Sequence, residues 1–394
     1  MAGALEGIRV LELSRYIAAP VTGKLLGELG ADVVKIEDPS EGDPMRRWQS
    51  GDRGHSPQFA VYNRTKRGIT LDLKNPAGLE TFLRLADGAD VVVENFRPGV
   101  MTRLGAGWEV LSARNPRLIY CAITGFGASG PYADRPAYDT VISAIGGLFS
   151  QIMDVERPQP VGPAFSDLLA GLSAAHGILA ALVSRDRTGR GQLVDASMLR
   201  SVVGLLAEPG TVFLDQGQVT VSNTRQRRAQ AYGLVASDGL PFVVHMSVPE
   251  KFWLAVTEVF DLTALREDSR FSDRQARHDH YSELDAVLKQ AALRRTRAEW
   301  FAALEKADVP HGPINGFADL FNDPQVAELG IVQSVPMPDG GRPLTQVGPQ
   351  FSLSATPLRV DPPAPGLGEH TAEVLAEAGL SGEEIDALAQ SGAI

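Results

Sequence analysis

The chain is 394 residues long, 44% of them hydrophobic and 22% charged, with a formal net charge of −11. This length exceeds what one hydrophobic core usually supports, so we expect more than one domain. The acidic balance argues against nucleic acid or an anionic membrane as the main partner, because both carry negative charge.

Three sequence features concern the compartment in which the protein works. Cys121 is the only cysteine, which excludes an internal disulfide and fits a reducing cytoplasm. Residues 1–7 lack the basic and apolar regions of a secretory signal. No apolar run reaches the roughly 18 residues of a membrane span. We therefore expect a cytoplasmic protein without a membrane partner.

The first half of the chain alternates predicted strands and helices. A strand at 8–13, a helix at 20–29 that ends before Gly30, and a strand at 32–37 form a βαβ unit. Further predicted elements are a helix at 76–86, a strand at 90–93, a helix at 108–113 and a strand at 118–123. Such units imply a parallel sheet, so we predict a doubly wound α/β fold with ligands at the carboxyl ends of its strands.

The loop after the strand at 118–123 contains three glycines, within residues 125–130, in the spacing of a dinucleotide-binding fingerprint. That fingerprint needs a helix to begin at the glycines, so that backbone N–H groups face the pyrophosphate. Pro131 and Pro136 follow instead, without apolar periodicity. We therefore predict that the chain does not bind NAD or FAD.

Six basic residues lie in segments that adjoin predicted strand ends. They are Arg64, Lys66, Arg67, Lys74, Arg97 and Arg103. In an acidic protein such a group is consistent with a polyanionic ligand, for example a phosphorylated cofactor. A solvated basic face fits the same pattern, because spacing does not show whether the side chains converge. The sequence leaves both interpretations open.

Asp167 follows a Gly162-Pro163 turn and precedes an apolar helical pattern at 168–183 that is rich in small residues. One interpretation is an N-cap, because aspartate accepts hydrogen bonds from the free N–H groups of a first helical turn. The other is a nucleophile, kept ionised by the field of the helix N-terminus and approachable beside small residues. The local sequence does not choose between the two.

The second half of the chain predicts a smaller domain after a poorly patterned stretch. A strand at 192–196 and a helix at 197–206 complete the first domain, and a strand-like segment at 239–245 opens the second. Between them, the basic run 224–228 is interpreted as a solvated loop. Later predicted helices lie at 249–260, 282–293, 297–306, 371–378 and 383–391.

The second half of the chain also contains two predicted capping boxes and a proline-rich segment. Thr296 with Glu299, and Ser381 with Glu384, have the spacing at which side chain and backbone cap each other at a helix start. Prolines between 357 and 365 are typical of an extended linker.

Short motifs follow one another along the chain. They are LEGIRVLEL at 5–13, LGADVVKIE at 29–37, Asn63 with Lys66-Arg67, VENFRPG at 93–99, RPAYD at 135–139, the Asp167 segment, TGRGQ at 188–192, GPIN at 312–315 and LGEH at 367–370. Together they resemble the family III CoA-transferases, which include formyl-CoA and carnitine CoA-transferases and are related to α-methylacyl-CoA racemases. The resemblance implies a Rossmann-like CoA-binding large domain at 1–225, a smaller α+β domain at 226–320, and a segment at 321–394 that returns to the large domain. It also implies two subunits interlocked like rings.

The resemblance makes Asp167 the counterpart of the family's catalytic aspartate, which favours the nucleophile over the N-cap. The implied reaction moves CoA from an acyl-CoA donor to a carboxylic acid acceptor. It passes through an acyl-aspartyl anhydride and an aspartyl-CoA thioester on Asp167. Each step forms an oxyanion that needs N–H donors and exclusion of water.

By position, the resemblance also assigns the remaining candidate residues. The coenzyme A contacts are Tyr16, Ala18, Leu71, Lys74, Asn95, Phe96, Arg97, Arg103 and Met198, and the substrate contacts are Tyr138 and Ile17. Ile17 stands where formyl-CoA transferase has a glutamine, and Asp38 replaces an adenine-side arginine, so we expect a different acyl substrate or altered CoA contacts. Relatives cover the intermediate with a glycine-rich loop, whereas residues 225–250 contain no run of glycines.

A racemase is the alternative function. Racemases of this type exchange an α-proton between a histidine and an aspartate on opposite faces of an acyl-CoA. Tyr138 occupies the histidine position, and a phenol with a pKa near ~10 is a poor base at neutral pH. We expect His176, further along the same helix as Asp167, to be packed rather than catalytic. The resemblance further implies a homodimer, with neither NAD nor a metal as cofactor.

Overall fold

A parallel sheet organises the half of the chain that begins at the N-terminus. In the computed structural model, which describes residues 2–48, 56–247, 249–336 and 342–394, its strands are β1 Arg9–Leu13, β2 Asp32–Glu37, β3 Lys66–Thr70, β4 Val91–Glu94, β5 Ile119–Thr124 and β6 Leu193–Ser197. Their order is β3-β2-β1-β4-β5-β6, and every neighbouring pair is parallel. This is the strand order of doubly wound folds, so the predicted parallel α/β sheet is confirmed.

The chain divides by its internal contacts into two compact units. The first contains Met1–Phe149, Pro160–Thr211 and Ala327–Ile394, and the second contains Ser150–Gln159 and Val212–Val326. The predicted domains at 1–225, 226–320 and 321–394 have different limits and stay a prediction.

Helices accompany the sheet of the first unit. They are α1 Ala18–Glu28, α2 Pro57–Asn63, α3 Pro76–Asp87, α4 Val100–Arg103, α5 Trp108–Arg114, α6 Asp139–Ile145, α8 Phe165–Thr188 and α9 Met198–Leu205. Two more helices, α7 Leu148–Ile152 and α10 Ala207–Gln216, begin in the first unit and end in the second. Successive strand residues point to opposite faces of the sheet. Val10 therefore belongs to one core with α1 and α8, whereas Leu11 belongs to another with α3 and α5.

Helix α8 is 24 residues long and packs closely against α1. A side chain at Gly171 would place its Cβ 2.6 Å from the carbonyl oxygen of Ala18, so only glycine permits this approach. Thr22 then donates a hydrogen bond of 3.1 Å to the carbonyl of Gly171. By length and composition α8 could cross a membrane, contrary to the expectation that no apolar run is long enough. Its contacts with α1, however, are those of a core helix.

The second unit has a sheet of its own. Its antiparallel strands are β7 Ala231–Val235, β8 Pro241–His245 and β9 His311–Pro313. Its helices are α11 Thr224–Ala229, α12 Pro249–Val259, α13 Arg274–Asp279, α14 Tyr281–Ala292, α15 Arg297–Lys306 and α16 Phe317–Leu320, followed by α17 Pro324–Glu328 at the edge of the unit. The core contains Trp300 stacked on Phe260 with ring centroids 4.3 Å apart. The basic run at 224–228 is helical in α11, so its interpretation as a loop is wrong.

The C-terminal residues contribute to the first unit. They form β10 Val332–Val335, β11 Leu344–Val347, α18 Thr371–Glu377 and α19 Gly382–Gln390. Both predicted capping boxes are present, at the starts of α15 and α19. The prediction of an extended linker at 357–365 is wrong at its end, because Pro365 is buried and accepts a hydrogen bond of 2.9 Å from Arg46.

Candidate active site

Asp167 is the third residue of α8, and Ala164 occupies the N-cap position. The N-cap interpretation of Asp167 is therefore wrong. The cap comes instead from Asp139, at the start of α6. Its Oδ1 accepts hydrogen bonds of 2.7 Å from the backbone nitrogen of Ser166 and 2.8 Å from the Ser166 hydroxyl. The carboxylate of Asp167 is thus not used to cap its own helix.

Asp167 lines a cavity of about 520 Å³, the Asp167 cavity, at the carboxyl ends of β1, β4 and β5. The cavity brings together most of the residues predicted from the sequence. They are Tyr16, Ile17 and Ala18 after β1, Asn95, Phe96 and Arg97 after β4, and Tyr138 and Met198. The strand ends converge as a parallel sheet requires, which explains why segments far apart in sequence meet here.

A second cavity of about 240 Å³, the Lys74 cavity, contains Leu71, Lys74 and Asp38 in its lining. Phe96 lines both cavities, so the two are adjacent. Arg103 lines neither of them and is exposed on α4.

Burial raises the pKa of Asp167 from 3.8 to about 7, and the nearby charge of Asp139 adds to the rise. The sequence predicts the opposite, that the helix N-terminus keeps the carboxylate ionised. A helix N-terminus stabilises a charge by about 2 kcal/mol at most. The pKa is raised and not lowered, because burial penalises the charged form more than the helix N-terminus favours it. Burial therefore outweighs the helix dipole, and Asp167 titrates near neutral pH.

Aromatic side chains form one wall of the Asp167 cavity. The ring of Tyr16 lies 6.3 Å from that of Tyr138, edge to face, and 6.0 Å from that of Trp48. Burial, together with Tyr138, raises the pKa of Tyr16. Tyr138 is 64% exposed, so its phenol lies at the cavity mouth.

The segment after β4 binds the segment after β1. The Asn95 side chain accepts a hydrogen bond of 3.0 Å from the Arg15 nitrogen and donates one of 2.8 Å to the Arg15 carbonyl. Its amide is therefore engaged with protein, whereas the resemblance assigns Asn95 to coenzyme A. Glu94 accepts a hydrogen bond of 2.7 Å from the Phe96 nitrogen, and burial raises the pKa of Glu94 to about 7.

Three of the six predicted cations make internal ion pairs. Buried Arg64 pairs with Glu28, and buried Lys66 lies 2.8 Å from Glu12. Arg67 pairs with acidic groups that include Asp32, at 2.7 Å. Neither a polyanion site nor a solvated face describes these three. Lys74 and Arg97 do line cavities, as a polyanionic ligand would require.

The sequence model of CoA-transferase family III matches residues 5–371. The chain belongs to this family. It is 35% identical over 384 residues to the succinate–glutarate CoA-transferase of Agrobacterium fabrum, covering 95% of each chain. It is 34% identical to the succinyl-CoA–L-malate CoA-transferase beta subunit of Chloroflexus aurantiacus, covering 98% of this chain and 96% of that one. The predicted family and the predicted class of enzyme, a CoA-transferase, are confirmed.

The fold is that of the family as well. A crystal structure of a CaiB/BaiF family protein from Brucella suis superposes with a TM-score of 0.85 at 36% sequence identity. The superposition covers 96% of this family III chain and all of that one.

Several site residues were missed from the sequence. Trp48, Arg135 and Asp139 line the Asp167 cavity. Tyr62 lies near enough that the charge of Asp167, together with burial, raises its pKa. Asp139 and Arg135 fall inside the RPAYD motif, which was the one signal that could have found them.

Further predictions concern His176, Cys121 and the glycine loop at 125–130, of which Gly125 lines the Asp167 cavity. His176 is exposed, so the expectation that it is packed is wrong. Cys121 is fully buried in β5. No helix begins at the glycines of residues 125–130, and the next helix starts at Asp139. Within the described ranges, no group of three or more potential metal ligands is present.

Proposed function

We propose that this chain transfers CoA from an acyl-CoA donor to a carboxylic acid acceptor, with Asp167 as the nucleophile. One observation carries the proposal: a half-buried carboxylate with a pKa near 7 lines the strand-end cavity of a family III chain. Burial makes the ionised carboxylate less stable than it would be in water. Its acylation is therefore more favourable in free energy, because the acylated side chain carries no charge.

The proposed reaction has four steps. Asp167 attacks the donor thioester carbonyl, forming an anhydride and releasing the CoA thiolate. The thiolate attacks the aspartyl carbonyl, which forms the aspartyl thioester and releases the donor carboxylate. The acceptor carboxylate attacks that thioester and regenerates an anhydride and the thiolate. Attack of the thiolate on the acceptor carbonyl then yields the new acyl-CoA and free Asp167.

Helix α1 supports the proposed stabilisation of the oxyanions. Its first residues, Ala18 and Ala19, carry N–H groups that have no partner within the helix, as in every helical first turn. Ala18 lines the Asp167 cavity, and Gly171 holds α1 against α8 by close contact. We assign these two N–H groups to the tetrahedral intermediates on Asp167.

Coenzyme A is proposed to span both cavities. The nucleotide occupies the Lys74 cavity beside Leu71, the pantetheine passes Phe96, and the thiol end reaches Met198 and Asp167. The shared lining at Phe96 supports this path, because it makes the two cavities neighbours. Arg97 supplies a phosphate partner from the loop after β4.

A dicarboxylic acid is the proposed substrate class. The relatives from Agrobacterium and Chloroflexus are named for succinate or succinyl-CoA together with glutarate or L-malate. Arg135 lines the Asp167 cavity and is not among the proposed coenzyme A contacts. A guanidinium forms paired hydrogen bonds with a carboxylate, so the free end of a dicarboxylate finds a partner there.

We also propose a cytoplasmic homodimer, with interlocked subunits and the domain limits predicted from the sequence. Large apolar side chains are exposed on three helices of the single chain. They are Leu172 and Val183 on α8, Val203 and Leu205 on α9, and Phe213 and Leu214 on α10. Exposed apolar side chains in such number indicate a protein partner.

The test supplies succinyl-CoA and isotope-labelled glutarate or malate, and follows acyl-CoA products by mass spectrometry. Labelled acyl-CoA from the wild type, and none from Asp167→Ala with CoA binding retained, supports the proposal. α-Proton exchange on a branched acyl-CoA without transfer would indicate the racemase instead.

A further inference from the structure

The loop between β1 and α1, which lines the Asp167 cavity, contains a residue in an unfavourable backbone conformation. Tyr16 has a φ of 65°, in the left-handed region that bulky residues avoid. Ile17 and Ala18 follow it and line the Asp167 cavity. Such a conformation persists only where surrounding contacts fix it.

Side chains from both neighbouring strands bind this loop through its backbone. Lys35, on β2, donates a hydrogen bond of 3.1 Å from Nζ to the Ser14 carbonyl. Asn95, just after β4, binds both the nitrogen and the carbonyl of Arg15. Since β2 and β4 flank β1 in the sheet, the loop is held from two sides.

Asp43 reaches the left-handed residue itself. Its Oδ1 accepts hydrogen bonds of 3.2 Å from the Tyr16 nitrogen and 3.0 Å from the Met45 nitrogen. Its Oδ2 accepts one of 3.1 Å from Lys35 Nζ. Asp43 is in turn held by its own nitrogen, which donates to Glu37 at 2.8 Å. Both Asp43 and Lys35 are fully buried.

We propose that Asp43 is a positioning residue, which fixes the left-handed backbone of Tyr16 and so places Ile17 and Ala18 against Asp167. Asp43 borders the Lys74 cavity but is fully buried, and its carboxylate oxygens accept from Tyr16, Met45 and Lys35, so we assign it a role through this loop. The inference rests on the function proposed above. A shift of about 1 Å in a group that contacts the reacting atoms lowers kcat more than it weakens substrate binding.

The variant Asp43→Asn tests this directly. Asparagine has one acceptor oxygen where aspartate has two, so either Lys35 or the Tyr16 nitrogen loses its acceptor. We expect kcat to fall by roughly 10- to 100-fold while KM for acyl-CoA changes by less than about threefold.

Glu28→Gln is the matched control, because Glu28 is also buried and also accepts from a cation, Arg64. It removes one charged acceptor in the same way but does not touch the loop. We expect its melting temperature to fall as much as that of Asp43→Asn, with kcat within about twofold of wild type. Equal losses of kcat in both variants would overturn the proposal, because general destabilisation would explain them.

A double-mutant cycle with Tyr16→Gly separates positioning from packing. Glycine adopts positive φ without strain, so residue 16 then needs no hydrogen bond to remain left-handed. We expect Asp43→Asn to lower kcat several-fold less in the Tyr16→Gly background than in the wild type. Independent, additive losses would overturn the proposal.

Amide hydrogen exchange provides a readout that does not depend on activity. In Asp43→Asn, we expect faster exchange in the peptide that covers residues 14–18 and unchanged exchange in β4 and β5. If wild type lacked transfer activity but this pattern appeared, the function would fail and the positioning role would stand. Unchanged exchange at residues 14–18 would overturn the positioning role whatever the activity.

Discussion

The Oδ1 of Asp139 lies 2.7 Å from the backbone nitrogen of Ser166, so a carboxylate on α6 caps the helix that presents Asp167. The same charge raises the pKa of Asp167, after the larger effect of burial. One side chain thus influences both where the nucleophile lies and how readily it ionises.

Asp139→Asn removes this charge while retaining an oxygen for Ser166. We expect the pKa of Asp167 to fall from about 7, because a like charge has been removed. The ionised nucleophile then persists to lower pH. The acidic limb of the pH profile of kcat/KM shifts in that direction, and activity at about pH 6 relative to the optimum rises roughly two- to fivefold. A limb that stays in place would show that it does not belong to Asp167.

Asp167→Asn is expected to stabilise the fold as it abolishes transfer. The folded protein holds the Asp167 proton up to about pH 7, whereas the ordinary pKa is 3.8, so the folded state binds more protons between these values. The contribution of Asp167 to the free energy of unfolding is therefore fully present below about pH 3.8 and is lost as the pH rises to about 7. Calorimetry should show a melting temperature a few degrees above wild type at about pH 8 and no gain near about pH 4. A gain of equal size at both values would contradict the raised pKa.

Arg135→Gln tests the substrate class. Arg135 lines the Asp167 cavity, with its guanidinium 3.8 Å from the Tyr132 ring centroid. A hydrogen bond to a charged group contributes about 1.5–3 kcal/mol, so KM for a dicarboxylate acceptor should rise roughly 10- to 100-fold. KM for a monocarboxylate should change little. Arg84→Gln, in an exposed ion pair on α3, is the control. Equal effects on both acceptors would remove Arg135 from substrate recognition.

Arg67→Met separates structural cations from ligand-binding ones. Arg67 pairs with Asp32 at 2.7 Å and with Glu373 and Glu377 at 2.9 and 2.8 Å, and so ties α18 to the edge of the sheet. Urea titration should show a free energy of unfolding lower by about 1–3 kcal/mol, with kcat preserved. For the exposed pair of Arg114, the same substitution should cost less than about 1 kcal/mol. A large loss of kcat in Arg67→Met would assign it to the site instead.

The parallel sheet could be predicted because each of its βαβ units is encoded within a short stretch of sequence. The β-branched runs that became β1 and β2, with the helix between them, contain both the apolar residues and the glycine punctuation that define a βαβ unit. The carboxyl-end rule then predicted which loops meet, and Tyr16 and Phe96 do share a cavity.

Side-chain pairings across long separations could not be predicted in the same way. Glu28 and Arg64 are 36 residues apart, and the sequence shows a cation without showing its partner. Asp139 caps a helix 27 residues away, so Asp167 was the nearest available cap in the local pattern. The raised pKa of Asp167 likewise depends on burial, which follows from tertiary packing. The ion pair, the cap and the raised pKa could not be predicted because each depends on residues that only the tertiary structure brings together.

The most direct test of the account is the mass of the peptide that contains residue 167 during turnover. Wild type is mixed with succinyl-CoA, treated with borohydride and digested. Borohydride reduces an aspartyl thioester to an alcohol, so we expect a lighter peptide with the change at Asp167, and no change of mass without acyl-CoA. An enzyme that turns over its donor while Asp167 stays unmodified, by borohydride and by hydroxylamine alike, would contradict it.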